Sequence, residues 1–254
     1  MTYETIKLRL EGPVAYLQFD RPHANNTINS AMIEECRHAV GACEDSATVL
    51  VLSGGPEYFC NGADFRELRE GAPQAAADRL LPESLYELWT RIATGPFTSV
   101  ACVRGRVNAG GLGFVAACDI VLAEESAQFS LSELLFGLMP ACVLPFLMRR
   151  IGFQRAHYLT LMTQPITART AQQWGLVDVW DARCDDLLRR HLLRLRRLSK
   201  PAIRRYKQYA AELCGSLESV KPRAVAANLE AFGDPDSRAA IGRYLETGLL
   251  PWER

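Results

Sequence analysis

The sequence predicts an α/β protein: a largely parallel β layer with helices packed on it, followed by a helical C-terminal region. Three observations carry that prediction. Short apolar runs of the buried-strand type (TVLVLSG, TSVACVRG, DIVLAE) alternate with helical stretches, the pattern of a parallel sheet with crossover helices. The last quarter keeps helical periodicity and offers no convincing strand after GLVDVW. The 254 residues, 48% hydrophobic and 23% charged, suffice for one large core or a core with a small appendage.

The elements follow in order. TIKLRL and VAYLQF flank Glu11-Gly12-Pro13 and read as a β-hairpin. RPHANNTINS is a loop, and Asn29 or Ser30 caps a helix from about Ala31 to Cys43. The strand TVLVLSG runs into a loop, GGPEYFCNGADF. An amphipathic helix spans about Ala77 to Ile92 and precedes the strand TSVACVRG. A glycine cluster, a helix to about Cys118 and the strand DIVLAE come next, and AQFSLSE offers one more strand. From Asp185 to Cys214 the chain is helical and basic, split at Pro201, a residue suited to a helix start.

Composition narrows the function classes. Twenty-nine acids balance twenty-nine Lys and Arg, so overall charge gives no pull toward nucleic acid or an anionic membrane. MTYETIKLRL alternates instead of forming the apolar stretch of a signal, and no run is long enough to span a bilayer. The eight cysteines form no CxxC pair, so a metal site is not expected and reduced thiols in a cytoplasmic protein are.

RGRVNAGGLGFVAACDI packs Gly105, Gly110, Gly111 and Gly113 into nine residues. Three explanations compete. A dinucleotide fingerprint lacks its acidic residue at the right spacing. Small residues that let a helix press on a sheet explain the cluster without any function. An oxyanion site uses free N–H groups at a helix N-terminus to stabilise charge on a carbonyl oxygen. The last needs a second donor, and FCNGADF supplies a loop of the same design.

With RPHANNTIN, FCNGADF, VRGRVNAGGLGF, CDIVLAEESAQFSLSELLFGLMP and QQWGLVDVW together, the chain resembles the crotonase (enoyl-CoA hydratase/isomerase) superfamily. The resemblance implies the crotonase fold, a spiral of ββα units over about residues 1–195, then a helical oligomerisation region over 196–254. It also implies a homotrimer or hexamer. Its substrate would be a thioester on coenzyme A or phosphopantetheine, with no metal or redox cofactor. The carbonyl would lie between the N–H groups of Ala63 and Gly110, and the loop holding Pro22, Ala24 and Asn26 would meet the coenzyme A end. AGGLGFVAACDI, SLSELLFGLMPACVLPFLMRRIG, AHYLTLMT and RYLETGLLPWE resemble a narrower branch, the dehydratases of polyketide β-branching cassettes. These convert 3-hydroxy-3-methylglutaryl on an acyl carrier protein to 3-methylglutaconyl.

Hydratases of this family use two glutamates. Alignment on Cys118-Asp119-Ile120 puts the first at Gly113 and the second at Glu133, so only one carboxylate remains. Glu133 is the expected proton carrier. Asp64 is a second candidate acid, against the simpler role of stabilising a helix start, and Asn108 or Cys60 are candidates to orient water. Arg66, Arg69 and Arg106 are candidates for a substrate carboxylate. Cys142, Val143 and Leu144 are expected to narrow the acyl pocket. The basic run Arg194, Arg196, Arg197, Lys200, Arg204, Arg205 and Lys207 is either a solvated face or a dock for an acidic carrier protein. Isomerase, decarboxylase, RNA binder and catalytically silent homologue stay open as alternatives, although neither nucleic acid nor membrane is the expected partner.

Overall fold

A computed structural model describes residues 2–70, 77–215 and 217–253. The hairpin forms as expected: β1 (Ile6–Glu11) pairs antiparallel with β2 (Val14–Phe19). Asn29 caps α1 (Ser30–Ser46) by accepting from the Met32 N–H at 3.0 Å. β3 (Val49–Ser53), β5 (Thr98–Val103), β7 (Ile120–Glu124) and β10 (Val179–Asp181) then add in parallel, giving a six-stranded sheet of order β1-β2-β3-β5-β7-β10.

A second sheet corrects the single-layer reading. β4 (Tyr58–Cys60), β6 (Arg106–Asn108), β8 (Gln128–Ser130) and β9 (Ile166–Thr167) form it in that order. β4 falls inside the stretch expected to be a loop, and β6 inside the glycine cluster. Each turn of chain gives one strand to each sheet and then a helix: β3, β4 and α2 (Phe65–Glu70); β5, β6 and α4 (Gly110–Ala117). This is the expected spiral of ββα units.

Helix α3 (Ala77–Thr94) lies beside α1 and α4, and its Tyr86 and Trp89 belong to the largest fully buried side chains. After α5 (Leu144–Met162), α6 (Ala168–Trp174) and α7 (Cys184–Leu195), the chain finishes in α8 (Lys200–Leu213), α9 (Leu217–Gly233) and α10 (Pro235–Thr247). Pro201 sits in the first turn of α8, as expected. These last helices fold back on the core. The Tyr86 hydroxyl donates to the Leu217 carbonyl at 2.8 Å, and Tyr244 of α10 packs edge-on against Phe136, with ring centres 5.3 Å apart.

One sequence expectation changes here. Lys207 is not part of a solvated basic face: it is 6% exposed and donates to Asp119 at 2.7 Å and to the Phe97 and Ile92 carbonyls. Its ammonium anchors α8 onto the core. Cys102 of β5 and Cys184 of α7 are brought into direct contact, with Cα atoms 6.1 Å apart, a pairing the sequence reading did not foresee. Folding brings them together across 82 residues of sequence, a spacing that carries no local signal. Among the described residues no helix is long and apolar enough to cross a membrane, and no cluster of His, Cys, Asp or Glu is suited to a metal ion.

Candidate active site

The site is built where loop 61–64, after β4, meets the start of α4. Ile28 donates to the Gly62 carbonyl at 2.7 Å, and Asp64 donates back to the Ile28 carbonyl at 2.9 Å. These are the two bonds of an isolated parallel bridge between Ile28 and Ala63. Such a bridge turns the N–H of Ala63 to the side away from Ile28. That loop abuts Gly110, because a Cβ built on Gly62 would lie 3.6 Å from the Gly110 nitrogen.

Gly110 is the first residue of α4, so its N–H has no intrahelical acceptor and sits at the positive end of the helix. The residue before it, Ala109, has φ 50° and ψ −125°. A positive φ on a residue with a Cβ costs about 1–3 kcal/mol and persists only where the surroundings impose it. Here the Ala109 N–H donates to the Ser130 carbonyl at 3.1 Å, which fixes the turn into α4. Neither Ala63 N–H nor Gly110 N–H donates to a protein group among the described residues. Two amides on adjoining loops are thereby left without a protein acceptor among the described residues.

Two glycines of the cluster serve packing. A Cβ on Gly111 would lie 2.3 Å from the Cys60 carbonyl oxygen, and one on Gly113 would lie 2.4 Å from Cζ2 of Trp89. The packing explanation of the cluster holds, and close packing of α4 on β4 and α3 carries the Gly110 amide to the Ala63 loop.

Glu133 opens a short 3-10 turn, Glu133–Phe136, and is 8% exposed. Burial pushes its carboxyl up to about 7, only partly offset by the peptide N–H groups of Glu133 and Ser132. Its Oε2 is buried with no hydrogen-bond partner. Asn108, two residues before Gly110, donates to Ser132 Oγ at 2.8 Å and accepts from Ser130 Oγ at 2.9 Å. Asn108 thus ties the Glu133 turn to the amide loop, with one N–H of its side-chain amide not engaged by these bonds. Cys60 is poorly placed to orient water, since burial holds its thiol protonated, with its pKa up to about 12.

Asp64 is also re-assigned by its partners. Its Oδ2 accepts from Arg21 Nη2 at 2.9 Å and from Thr27 Oγ1 at 3.1 Å. Burial alone would raise its pKa, but these bonds and the Arg21 charge outweigh it and hold the carboxyl below its ordinary value. An ionised, paired Asp64 is a poor acid and a good clamp for the Ala63 loop.

The Pro22–Ala24 segment is a surface 3-10 turn, so Pro22 and Ala24 lie where a ligand can reach them. Asn26 does not: it is 3% exposed and its amide bonds Arg21 N–H and the Tyr58 and Phe59 carbonyls. Arg21 and Thr27, which complete this latch, carried no signal in the sequence beyond their place in RPHANNTIN. Of the three arginine candidates, Arg66 and Arg106 are exposed, with Arg106 beside the Tyr58 ring; the Arg69 side chain lies outside the described residues. Cys142 and Val143 are buried in the main core, and Cys142 Sγ faces the Ala224 carbonyl of α9.

The comparisons with known proteins agree with this geometry. The enoyl-CoA hydratase/isomerase family pattern matches residues 9–254. The bacillaene synthase dehydratase PksH of Bacillus subtilis is 54% identical over 254 residues, covering 100% of this chain and 98% of that one. A crystal structure of the polyketide biosynthesis enoyl-CoA hydratase pksH from the same species superposes with a TM-score of 0.93, covering 98% of this chain and 100% of that one. An enoyl-CoA hydratase/isomerase from Xanthobacter autotrophicus, 24% identical, shares the fold at a TM-score of 0.88, covering 98% and 95% of the two chains. The chain belongs to the enoyl-CoA hydratase/isomerase family.

Proposed function

We propose that this protein is a dehydratase of polyketide biosynthesis that removes water from a 3-hydroxy-3-methylglutaryl thioester. The thioester hangs from the phosphopantetheine arm of an acyl carrier protein. The observation that carries the reading is the buried Glu133 carboxyl, whose Oε2 has no partner among the described residues, on a turn tied through Ser132 and Asn108 to the loop of the Gly110 amide. Full-length likeness to a bacillaene synthase dehydratase supports both the reaction and the carrier-bound substrate.

The chemistry follows from charge. The thioester oxygen accepts from Ala63 and Gly110, and negative charge grows there as Glu133 takes the C2 proton. Each such donor contributes roughly 10²–10³ in rate. A carboxylate with its pKa near 7 is strong enough to take that proton and weak enough to return it to the departing oxygen. One carboxylate on one face can do both, because the C3 hydroxyl is tertiary and leaves readily. Exposed apolar side chains, Met148, Phe153, Tyr158, Leu161 and Met162 on α5, favour association into a trimer or hexamer.

The test is mass spectrometry of carrier protein loaded in turn with 3-hydroxy-3-methylglutaryl, glutaconyl and 3-enoyl groups. Loss of one water from the first supports the proposal. Loss of carbon dioxide from the second, or a shifted double bond in the third, with no loss from the first, replaces it with a decarboxylase or an isomerase.

A further inference from the structure

Three buried side-chain polar atoms lack a hydrogen-bond partner among the described residues: Arg104 Nε, Glu133 Oε2 and Trp89 Nε1. The charge of Arg104 is met by Glu124 and Asp185. What remains is one donor, on a side chain only 1% exposed, and one acceptor. Leaving such a group unpaired costs about 1–3 kcal/mol, so each orphan calls for an explanation.

Both orphans are carried by residues linked to the segment around Gly110, Trp89 by packing on α4 and Glu133 through its neighbour Ser132. The Trp89 ring fills the space that any side chain at Gly113 would need, with Cζ2, Cε2 and Cη2 within 2.4–2.6 Å of the position of a Cβ there. Cε2 is the ring atom that bears Nε1. Gly113 lies three residues after Gly110, on the same face of α4 and about 4.5 Å along it. Glu133 follows Ser132, whose hydroxyl accepts from Asn108, two residues before Gly110. Edge-on packing against Phe114 and Phe146 holds the indole in place.

We propose that Trp89 is a second side chain of this site that contacts substrate, its N–H donating to the C3 oxygen that leaves. The inference rests on the dehydratase reading. A hydroxyl is one acceptor and one donor, and that matches the two orphans: it accepts from Trp89 and donates to Glu133. A carboxylate or a carbonyl would satisfy only the first. With C1 held at Gly110, C3 is two bonds away and its oxygen falls within one helical turn, about 5.4 Å. Both orphan atoms are closed to solvent in this conformation, so the ligand parts the side chains over them as it enters.

The step balances without a proton from the indole. Glu133 takes the C2 proton, the C2–C3 double bond forms as the C3–O bond breaks, and the departing oxygen takes the proton from Glu133 and leaves as water. Trp89 keeps its hydrogen and stabilises the charge on that oxygen. The place of the second carboxylate is thus filled by a neutral donor.

The test uses Trp89→Phe, which keeps a ring and drops the N–H. Two rates are measured on 3-hydroxy-3-methylglutaryl carrier protein: water loss by mass spectrometry, and exchange of the C2 proton for solvent deuterium. Water loss is expected to fall about 10- to 100-fold while exchange stays close to wild type. If both rates hold, or both fall in parallel, the contact is refuted and the dehydratase reading stands. If wild type itself releases no water, the dehydratase reading fails and this inference fails with it. A variant too unstable to assay leaves a second route, the buried indole N–H resonance in Glu133→Gln protein, where turnover is stopped. It should move downfield with 3-hydroxy-3-methylglutaryl pantetheine and not with the 3-deoxy ligand; equal or absent shifts overturn the proposal.

Discussion

Arg21 and Asp64 form an ion pair of 2.9 Å in which each side chain is only 11% exposed. The pair joins the loop before α1 to the residue next to the amide donor Ala63. Removing one partner of such a pair leaves the other buried and unmet, at a cost of about 3–5 kcal/mol. Asp64→Ala is therefore expected to lower the melting temperature and to depress kcat more than it raises KM, because Ala63 loses its register. Asp64→Asn should keep the pH–rate profile of the parent. A profile that loses a limb in Asp64→Asn would return Asp64 to the role of catalytic acid.

Glu133 sets the pH dependence. A general base with its pKa near 7 is protonated and idle in acid, so kcat/KM should rise with pH and level off above about 7. Stability should run the other way. The folded-state pKa stands above the ordinary 4.5, so the folded protein holds the proton more tightly than the unfolded chain. The penalty is absent below pH 4.5, grows through the window from 4.5 to 7 and is complete above it, at about 3 kcal/mol. Glu133→Gln should therefore melt higher than the parent at pH 8, with the gap closing toward pH 4.5. Denaturation at several pH values checks this.

Gly113→Ala places a methyl group against a fixed indole ring instead of a flexible chain end. Overpacking of this kind costs about 1–3 kcal/mol, and here it also displaces Trp89. Lower stability with a matching loss of water elimination is expected. Restored activity in a Gly113→Glu protein with Trp89 unchanged would contradict the packing described.

Lys207→Met tests the anchoring of α8. It strips Asp119 of its cation while leaving its bonds from the Ser99 N–H and hydroxyl. Destabilisation of up to about 3–5 kcal/mol is expected, with kcat per folded molecule unchanged. Thermal melts and active-site titration separate the two.

The long elements were legible because their apolar periodicity extends over several turns or alternations: the hairpin, α1 with its Asn29 cap, β3, β5, β7 and the helix after Ala77. The strands β4, β6 and β9 were not. At two or three residues they carry no period, and pairing with neighbours alone makes them strands. In the site, the glycine pattern and the family resemblance pointed to Ala63, Gly110 and Glu133, and the structure brings the loops that hold them together. The partners stayed hidden. Asp64 read as a possible acid because Arg21, 43 residues earlier, carries no mark of the contact. Trp89 lies inside the expected amphipathic helix with no mark that sets it apart, and Lys207 read as one charge in a basic run.

The most direct test of the central claim, that one buried carboxylate carries the proton for dehydration, compares wild type with Glu133→Gln. Each is incubated with 3-hydroxy-3-methylglutaryl carrier protein and the acyl chain is weighed by mass spectrometry. Water loss with wild type and none with Glu133→Gln is the predicted result. Equal water loss from both would show that the proton travels through another group and would contradict the account.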